Sequence, residues 1–201
     1  MASNSASRVF SRAHTGSRIS VRFFGGWNYP ADAVEQPAYL DIAYREGVPM
    51  GGDLSDAPKG QAPTLIAVAV KDPDGANLDR VQIVKGWLDR RGIMQEKVYD
   101  VAWSDNRQPD PGTGKLPPVG STVDIEKATY TNSIGSAQLA AVWTDPDFNS
   151  DQRAFYYLRA IEIPRPRWST YDAAYFKLDL PDEIPRTVQD RAYTSPIWYT
   201  P

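Results

Sequence analysis

The chain has 201 residues, enough for one globular domain that buries about 70% of its unfolded surface. Hydrophobic residues make up 41% and charged residues 23%, which is typical of a folded protein. The net charge of −3 gives no basic surface of the kind that binds nucleic acid, so no nucleic-acid partner is expected. With no cysteine and one histidine, the chain supplies neither disulfides, nor thiolate metal sites, nor a multi-histidine metal centre.

The N-terminal part carries no targeting signal that assigns a compartment. Residues 1–31 contain no Asp or Glu but several Arg and Ser, which resembles a transit peptide in composition and lacks the apolar core of a secretory signal. A poorly ordered segment over 1–17 is the preferred interpretation. The longest apolar run, 64–70, is far shorter than the roughly 20 residues of a membrane span, so no membrane partner is expected.

Short segments with a two-residue hydrophobic period recur along the chain and predict strands separated by Gly-, Pro- and Asp-rich turns. The predicted strands lie near 19–24, 39–44, 65–70, 80–85, 96–103, 122–126, 138–143, 155–162 and 195–199. Single helical turns are predicted only at 171–176 and 185–191. The prediction is an all-β protein: an immunoglobulin-like or jelly-roll-type β-sandwich with long proline-rich loops and at most short helical turns.

The same pattern divides the chain into a sandwich over 18–163 and a proline-rich extension over 164–201 that ends in a strand. A second long loop, 104–120, contains four prolines and three glycines. Loops of this length are usually functional or pack against a neighbouring domain.

Two acidic loops are the first candidates for chemistry. Asp72, Asp74 and Asp79 lie within eight residues and could bind calcium, but the spacing departs from that of an EF-hand. A turn between strands, with Pro presetting φ and Gly accepting positive φ, explains the loop equally well and is preferred. Asp145 and Asp147 repeat the pattern with fewer oxygen ligands. We expect no cofactor, except that calcium could bind to these acidic loops and should be tested.

Carboxylate pairs could also hydrolyse glycosides or esters, and glycoside hydrolysis in particular uses two carboxylates across a cleft. The five aspartates of the two loops are the first to test, and other acids are available for a pair: Asp100, Asp105, Asp124, Glu126, Glu162 and Asp172. The single histidine, His14, lies in the least structured part of the chain, and no nucleophile elbow or phosphate-binding loop is present. The six tryptophans could stack on sugar rings, so a carbohydrate partner stays open.

A basic and aromatic run over 163–171 predicts an interface. Its alternating Pro and Arg residues favour an extended segment whose arginines reach across to a partner. The interface candidates here are Arg165, Arg167, Trp168 and Tyr171, and those of the last strand are Ile197, Trp198 and Tyr199.

Eight strings in order then carry a family resemblance. They are VRFFGGW at 21–27, GVPMGGDL at 47–54, KDPDGANLDR at 71–80, QIVKGW at 82–87, KVYDVAWS at 97–104, AVWTDPDF at 141–148, IPRPRWSTYDA at 163–173 and RAYTSPIWYTP at 191–201. The chain resembles the C-terminal portion of the bacterial domain-of-unknown-function family 3604 (DUF3604). Members of this family resemble metal-dependent hydrolases of the polymerase-and-histidinol-phosphatase (PHP) type.

The resemblance implies an N-terminal metal-binding domain with a Gly-Asp-Leu-His-x-His-type motif, which this sequence lacks. None of the family's catalytic residues therefore maps onto this chain. We expect a non-catalytic β-sandwich module from a truncated or metagenomic reading frame, which pairs with the missing domain or self-associates into an oligomer through 165–171 and 196–199. An independent small hydrolase using a carboxylate pair and a carbohydrate-binding module remain the alternatives.

Overall fold

Two β-sheets packed face to face form the body of the protein, seen in a computed structural model that describes residues 12–201. Sheet I contains β1 (Arg12–His14), β4 (Asp53–Leu54), β6 (Leu78–Leu88), β7 (Met94–Trp103), β9 (Ala154–Glu162), β12 (Arg191–Thr194) and β13 (Ile197–Tyr199). Sheet II contains β2 (Ser20–Gly26), β3 (Gly47–Pro49), β5 (Thr64–Val70) and β8 (Gln138–Thr144), in the order β3-β2-β5-β8. The all-β prediction is confirmed.

Strand β9 lies at the centre of sheet I. One of its edges pairs with β6, and the other pairs with β13 near its start and with β12 near its end. Its residues alternate strictly between buried and partly exposed positions. The two-residue period of a strand therefore places Tyr156, Leu158 and Ala160 in the core and turns Phe155, Tyr157 and Arg159 outward.

The hydrophobic core lies between the two sheets. Val21 and Phe23 of sheet II are buried in the same cluster as Ile83 and Leu158 of sheet I. The C-terminal strand also contributes to this cluster, because Ile197 and Tyr199 are buried in it. The last two strands of the predicted extension over 164–201, β12 and β13, thus complete sheet I.

The outer face of sheet II is covered by a short 3-10 helix (Ala33–Glu35) and by helix α1 (Tyr39–Glu46). The Tyr29 hydroxyl donates a hydrogen bond of 2.7 Å to the Ala43 carbonyl and ties the helix to the sheet. Strand β5 is consequently buried on both faces, which explains its continuous run of apolar residues. The predicted strand at 39–44 is wrong, because this segment buries Ala43 as a helix against sheet II.

Two further predictions of local structure are corrected. Residues 122–126 form no strand and make only an isolated bridge between Asp124 and Thr129. Residues 185–191 form no helical turn, since Thr187–Val188 pairs as β11 with β10 (Arg165–Pro166). The other predicted strands are confirmed, and the turn at 171–176 is the end of helix α2 (Trp168–Phe176).

The predicted N-terminal segment falls partly outside the described residues, which start at Arg12. Residues 12–14 of that segment form β1, which pairs with β12. Within 12–201, no helix has the length and apolar character needed to cross a membrane.

A buried ion pair links the end of β8 to β6. Lys85 Nζ lies 2.6 Å from Asp145 Oδ2, and the two side chains are 4% and 0% exposed. The Tyr156 hydroxyl donates a bond of 2.7 Å to the same oxygen. Burial and the Asp145 carboxylate raise the pKa of Tyr156, so the phenol stays protonated and keeps donating.

We predict that Asp145→Asn lowers the free energy of unfolding by about 3–5 kcal/mol, because it leaves the Lys85 ammonium buried without a counter-charge. The control is Asp147→Asn, which breaks a half-exposed pair with Lys97 and should cost less than about 1 kcal/mol. Urea denaturation of both variants measures the difference. Equal losses in the two variants would contradict this account of the pair.

Candidate functional site

The first acidic loop is occupied by internal ion pairs. The Asp72 carboxylate accepts hydrogen bonds of 2.9 Å from the Arg18 backbone N–H and 3.2 Å from Arg18 Nε. The backbone bond is the largest cause that holds the pKa of Asp72 below its usual value. Asp79 is buried and accepts from Arg107 and Arg80, while Asp74 contacts Arg18 at the surface. Each of the three aspartates thus faces an arginine.

The Asp79 contacts also hold the long loop at 104–120 against sheet I. Arg107 Nη2 donates to Asp79 Oδ1 at 2.7 Å, and Arg107 Nη1 donates to the Pro117 carbonyl at 2.9 Å. The Trp103 indole N–H donates to the Arg107 carbonyl at 2.6 Å. The loop is therefore fixed at both its start and its end by one arginine.

The two acidic loops lie at opposite ends of strand β5. Asp72 follows the last residue of β5 by two positions, whereas the Asp145 N–H bonds to the Pro63 carbonyl just before the first. A seven-residue strand is about 23 Å long, so the five candidate aspartates do not converge on one substrate. No three His, Asp or Glu side chains within residues 12–201 are grouped so that they could hold a metal ion.

Helix α2 presents an uncovered aromatic surface, which we call the α2 surface. Its apolar side chains have exposed fractions of 68% at Trp168, 40% at Tyr171, 80% at Tyr175, 62% at Phe176 and 58% at Leu178. An open cleft of about 750 Å³ lies beside it, lined among others by Ile125, Leu178 and Arg186. A soluble protein rarely leaves so many large apolar side chains together in water.

The α2 surface rests on a rigid base. Thr170 Oγ1 donates a bond of 2.6 Å to the Arg186 carbonyl, and Thr170 itself is buried. Arg165, one of the predicted interface residues, turns inward to an ion pair with buried Asp190. Arg167 is partly exposed and occupies the residue before the helix, where its side chain makes no capping hydrogen bond. Of the run at 163–171, the aromatic residues therefore face solvent, and Arg165 anchors the helix.

A second aromatic surface lies on the outer face of sheet I, and we call it the aromatic platform. Phe155, Tyr157, Tyr193 and Trp198 form a continuous row, with ring centroids 5.3 Å apart for Phe155–Trp198 and 6.4 Å for both Phe155–Tyr157 and Tyr157–Tyr193. Trp198 is 45% exposed. The neighbours of Trp198 along the chain point into the core, so only Trp198 of the predicted C-terminal interface residues reaches the surface.

The sequence prediction included only Trp198 of this row, although the hydrophobic pattern of β9 also indicates Phe155 and Tyr157. Phe155 and Tyr157 occupy the outward positions of an alternating strand whose inward positions are also apolar. Aromatic residues on the outward face of such a strand indicate a covered or ligand-binding surface.

Glu162 occupies the last inward position of β9 and is completely buried. Neither of its carboxylate oxygens has a hydrogen-bond partner in the described part of the chain. Arg165 Nε is 3.9 Å away, but the closer partner of Arg165 is Asp190. Burial is the main cause that raises the pKa of Glu162 from 4.5 to about 7; nearby Ser17 and Arg165 partly offset this rise, and Asp190 adds to it.

This shift predicts a loss of stability as the pH rises from about 4.5 to about 7. The folded state keeps the Glu162 proton across that window and the unfolded state releases it, so the free energy of unfolding falls by up to about 1.4 kcal/mol per pH unit. Glu162→Gln should remove this part of the pH dependence and be the more stable protein at pH 8. Urea unfolding at several pH values measures it, and identical pH slopes for the two proteins would contradict the assignment.

Comparison with known proteins identifies a family. No curated protein and no solved structure matches the chain. The model of the family described as "Protein of unknown function (DUF3604)" matches residues 7–201. That match includes all the described strands and both aromatic surfaces, and the chain therefore belongs to the DUF3604 family.

Proposed function

We propose that this chain is a non-catalytic β-sandwich module of a PHP-like metal-dependent hydrolase, and that its α2 surface packs against the catalytic domain. Membership of the DUF3604 family supports the proposal. Its PHP-like part comes from the resemblance described from the sequence. The positions of the candidate carboxylates support the non-catalytic role. Asp72, Asp74 and Asp79 are paired with arginines at one end of β5, and Asp145 and Asp147 are paired with lysines at the other.

The observation that carries the proposal is the exposure of helix α2. A helix on a protein surface normally buries its apolar side chains against a neighbouring element. In this nine-residue helix the buried residues are the polar Ser169 and Thr170. Here Trp168, Tyr175 and Phe176 point into solvent instead. Trp and Tyr are the residue types that contribute most to the binding energy of protein interfaces.

The surroundings of the helix fit an interface as well. Exposed charged residues lie close to the aromatic residues in the sequence: Asp172 within the helix, and Lys177, Asp179 and Asp182 after it. Protein interfaces likewise combine apolar residues at the centre with polar residues at the rim. The base of the helix is already ordered by the Thr170 and Arg165 contacts. A surface fixed in advance loses little conformational entropy on binding, which favours a stable association.

We predict that the chain binds the separately purified catalytic domain of a DUF3604 protein that contains one, in a 1:1 complex. Trp168→Ala and Tyr175→Ser should each weaken the complex about tenfold or more, because they remove central aromatic contacts. Ile93→Ser is the matched control, since Ile93 is 48% exposed at the hairpin between β6 and β7 and should leave binding unchanged.

Sedimentation velocity of the mixture and of the chain alone measures the association. Equal binding by the α2 variants and by the control would overturn the proposal, and so would the absence of a complex. A concentration-dependent dimer of the chain alone, lost in the α2 variants, would show that a second copy covers the surface and would also overturn it.

A further inference from the structure

We infer that the aromatic platform binds a saccharide whose ring carries a carboxylate, such as a chain of uronic-acid residues. This binding site is separate from the α2 surface and does not depend on the function proposed for it. Three features support this binding: the shape of a pocket at one end of the platform, the orientation of its rings and the single charged residue that lines it.

The pocket has a volume of about 320 Å³, within the range of roughly 300–1,000 Å³ that is usual for small-molecule sites. Its lining comes from β6, β7, β9 and β13. It consists of Trp87, Leu88, Met94, Arg153, Ala154, Phe155, Trp198, Tyr199 and Thr200. An apolar pocket with few polar groups is the usual form of a ligand site.

A glycine sets the floor of the platform. Gly86 is the cross-strand partner of Phe155, and a Cβ atom at position 86 would lie 2.2 Å from Phe155 Cζ. The missing side chain at position 86 leaves room for the Phe155 ring over β6. The Trp198 ring lies beside it at an interplanar angle of 51°, which gives the pocket a wall next to its floor.

The row continues beyond the pocket, so the ligand is a chain of rings rather than one ring. The Tyr157 ring is nearly parallel to that of Phe155, at 11°. Rings that share an orientation along one line can pack against successive units of an extended oligomer.

A pyranose ring fits these surfaces chemically. One of its faces carries C–H groups, which pack against the negative face of an aromatic ring. Its hydroxyl groups project around the edge of the ring and remain in water. A nucleobase would also stack, but a nucleic acid needs several cations to neutralise its phosphates, and this pocket has one.

The charge of the pocket selects an acidic sugar. Arg153 is the one charged residue among those that line it. Arg153 also lines an adjoining cleft together with Asp89 and Asp151, but within residues 12–201 no ion pair of 4 Å or less joins Arg153 to a carboxylate. A guanidinium without a counter-ion beside an apolar floor can bind a carboxylate through two parallel N–H bonds.

The test is a calorimetric titration of the full chain with trigalacturonic acid and with its methyl ester, followed in parallel by tryptophan fluorescence. We expect the acid to bind, and the ester to bind about tenfold or more weakly, because it cannot form the charged contact. Arg153→Gln should reduce binding of the acid to the level of the ester. Trp198→Ala should weaken binding of both ligands.

Trp168→Ala is the control for a non-specific loss of aromatic surface and should bind the acid as the parent chain does. Circular dichroism confirms that each variant is folded before titration. Absence of binding at millimolar concentration would overturn the inference, as would equal binding of acid and ester or normal binding by Trp198→Ala. Because Trp168 and Trp198 lie on different surfaces, failure here leaves the proposed docking role untouched.

Discussion

The alternation of side chains along β9 is the constraint on which the rest of the structure depends. This strand pairs with β6, β12 and β13, and each of its residues either enters the core or joins the outer face. A shift of one residue would bury Arg159 and expose Leu158, so the register is fixed by the cost of burying charge and exposing apolar surface. The same strand thereby sets both the packing of the core and the spacing of the rings on the platform.

The end of β9 shows how the fold connects its core to the α2 surface. After Glu162 the chain leaves sheet I, forms helix α2 and returns as β12 and β13 to the free edge of the same strand. Asp190 and Arg165 close the base of this excursion with an ion pair. The chain thus leaves β9 before the helix and pairs with β9 again after it, and the Arg165–Asp190 ion pair joins the two connecting segments.

The sequence indicated most of the strands because their alternation is local, and it indicated the exposed Trp168 and Tyr171 through their proline-flanked run. It misassigned 39–44, since Tyr39, Ile42 and Tyr44 also suit a strand, and only the need to cover sheet II decides for a helix. The sequence predicted no contacts between residues that lie far apart along the chain. Neither the placement of Lys85 against Asp145 nor that of Phe155 over Gly86 follows from a local pattern. The first depends on the packing of the two sheets and the second on strand pairing, and each joins residues 60 or more positions apart.

The measurement that most directly tests the central claim is turnover by the purified, folded chain on chromogenic glycosides, esters and phosphoesters, with and without EDTA. We predict no turnover in either condition, because the five candidate aspartates are engaged in ion pairs and lie at opposite ends of β5. Metal-independent turnover that disappears when one carboxylate is neutralised, in a variant that remains folded, would contradict it and would make the chain a hydrolase in its own right.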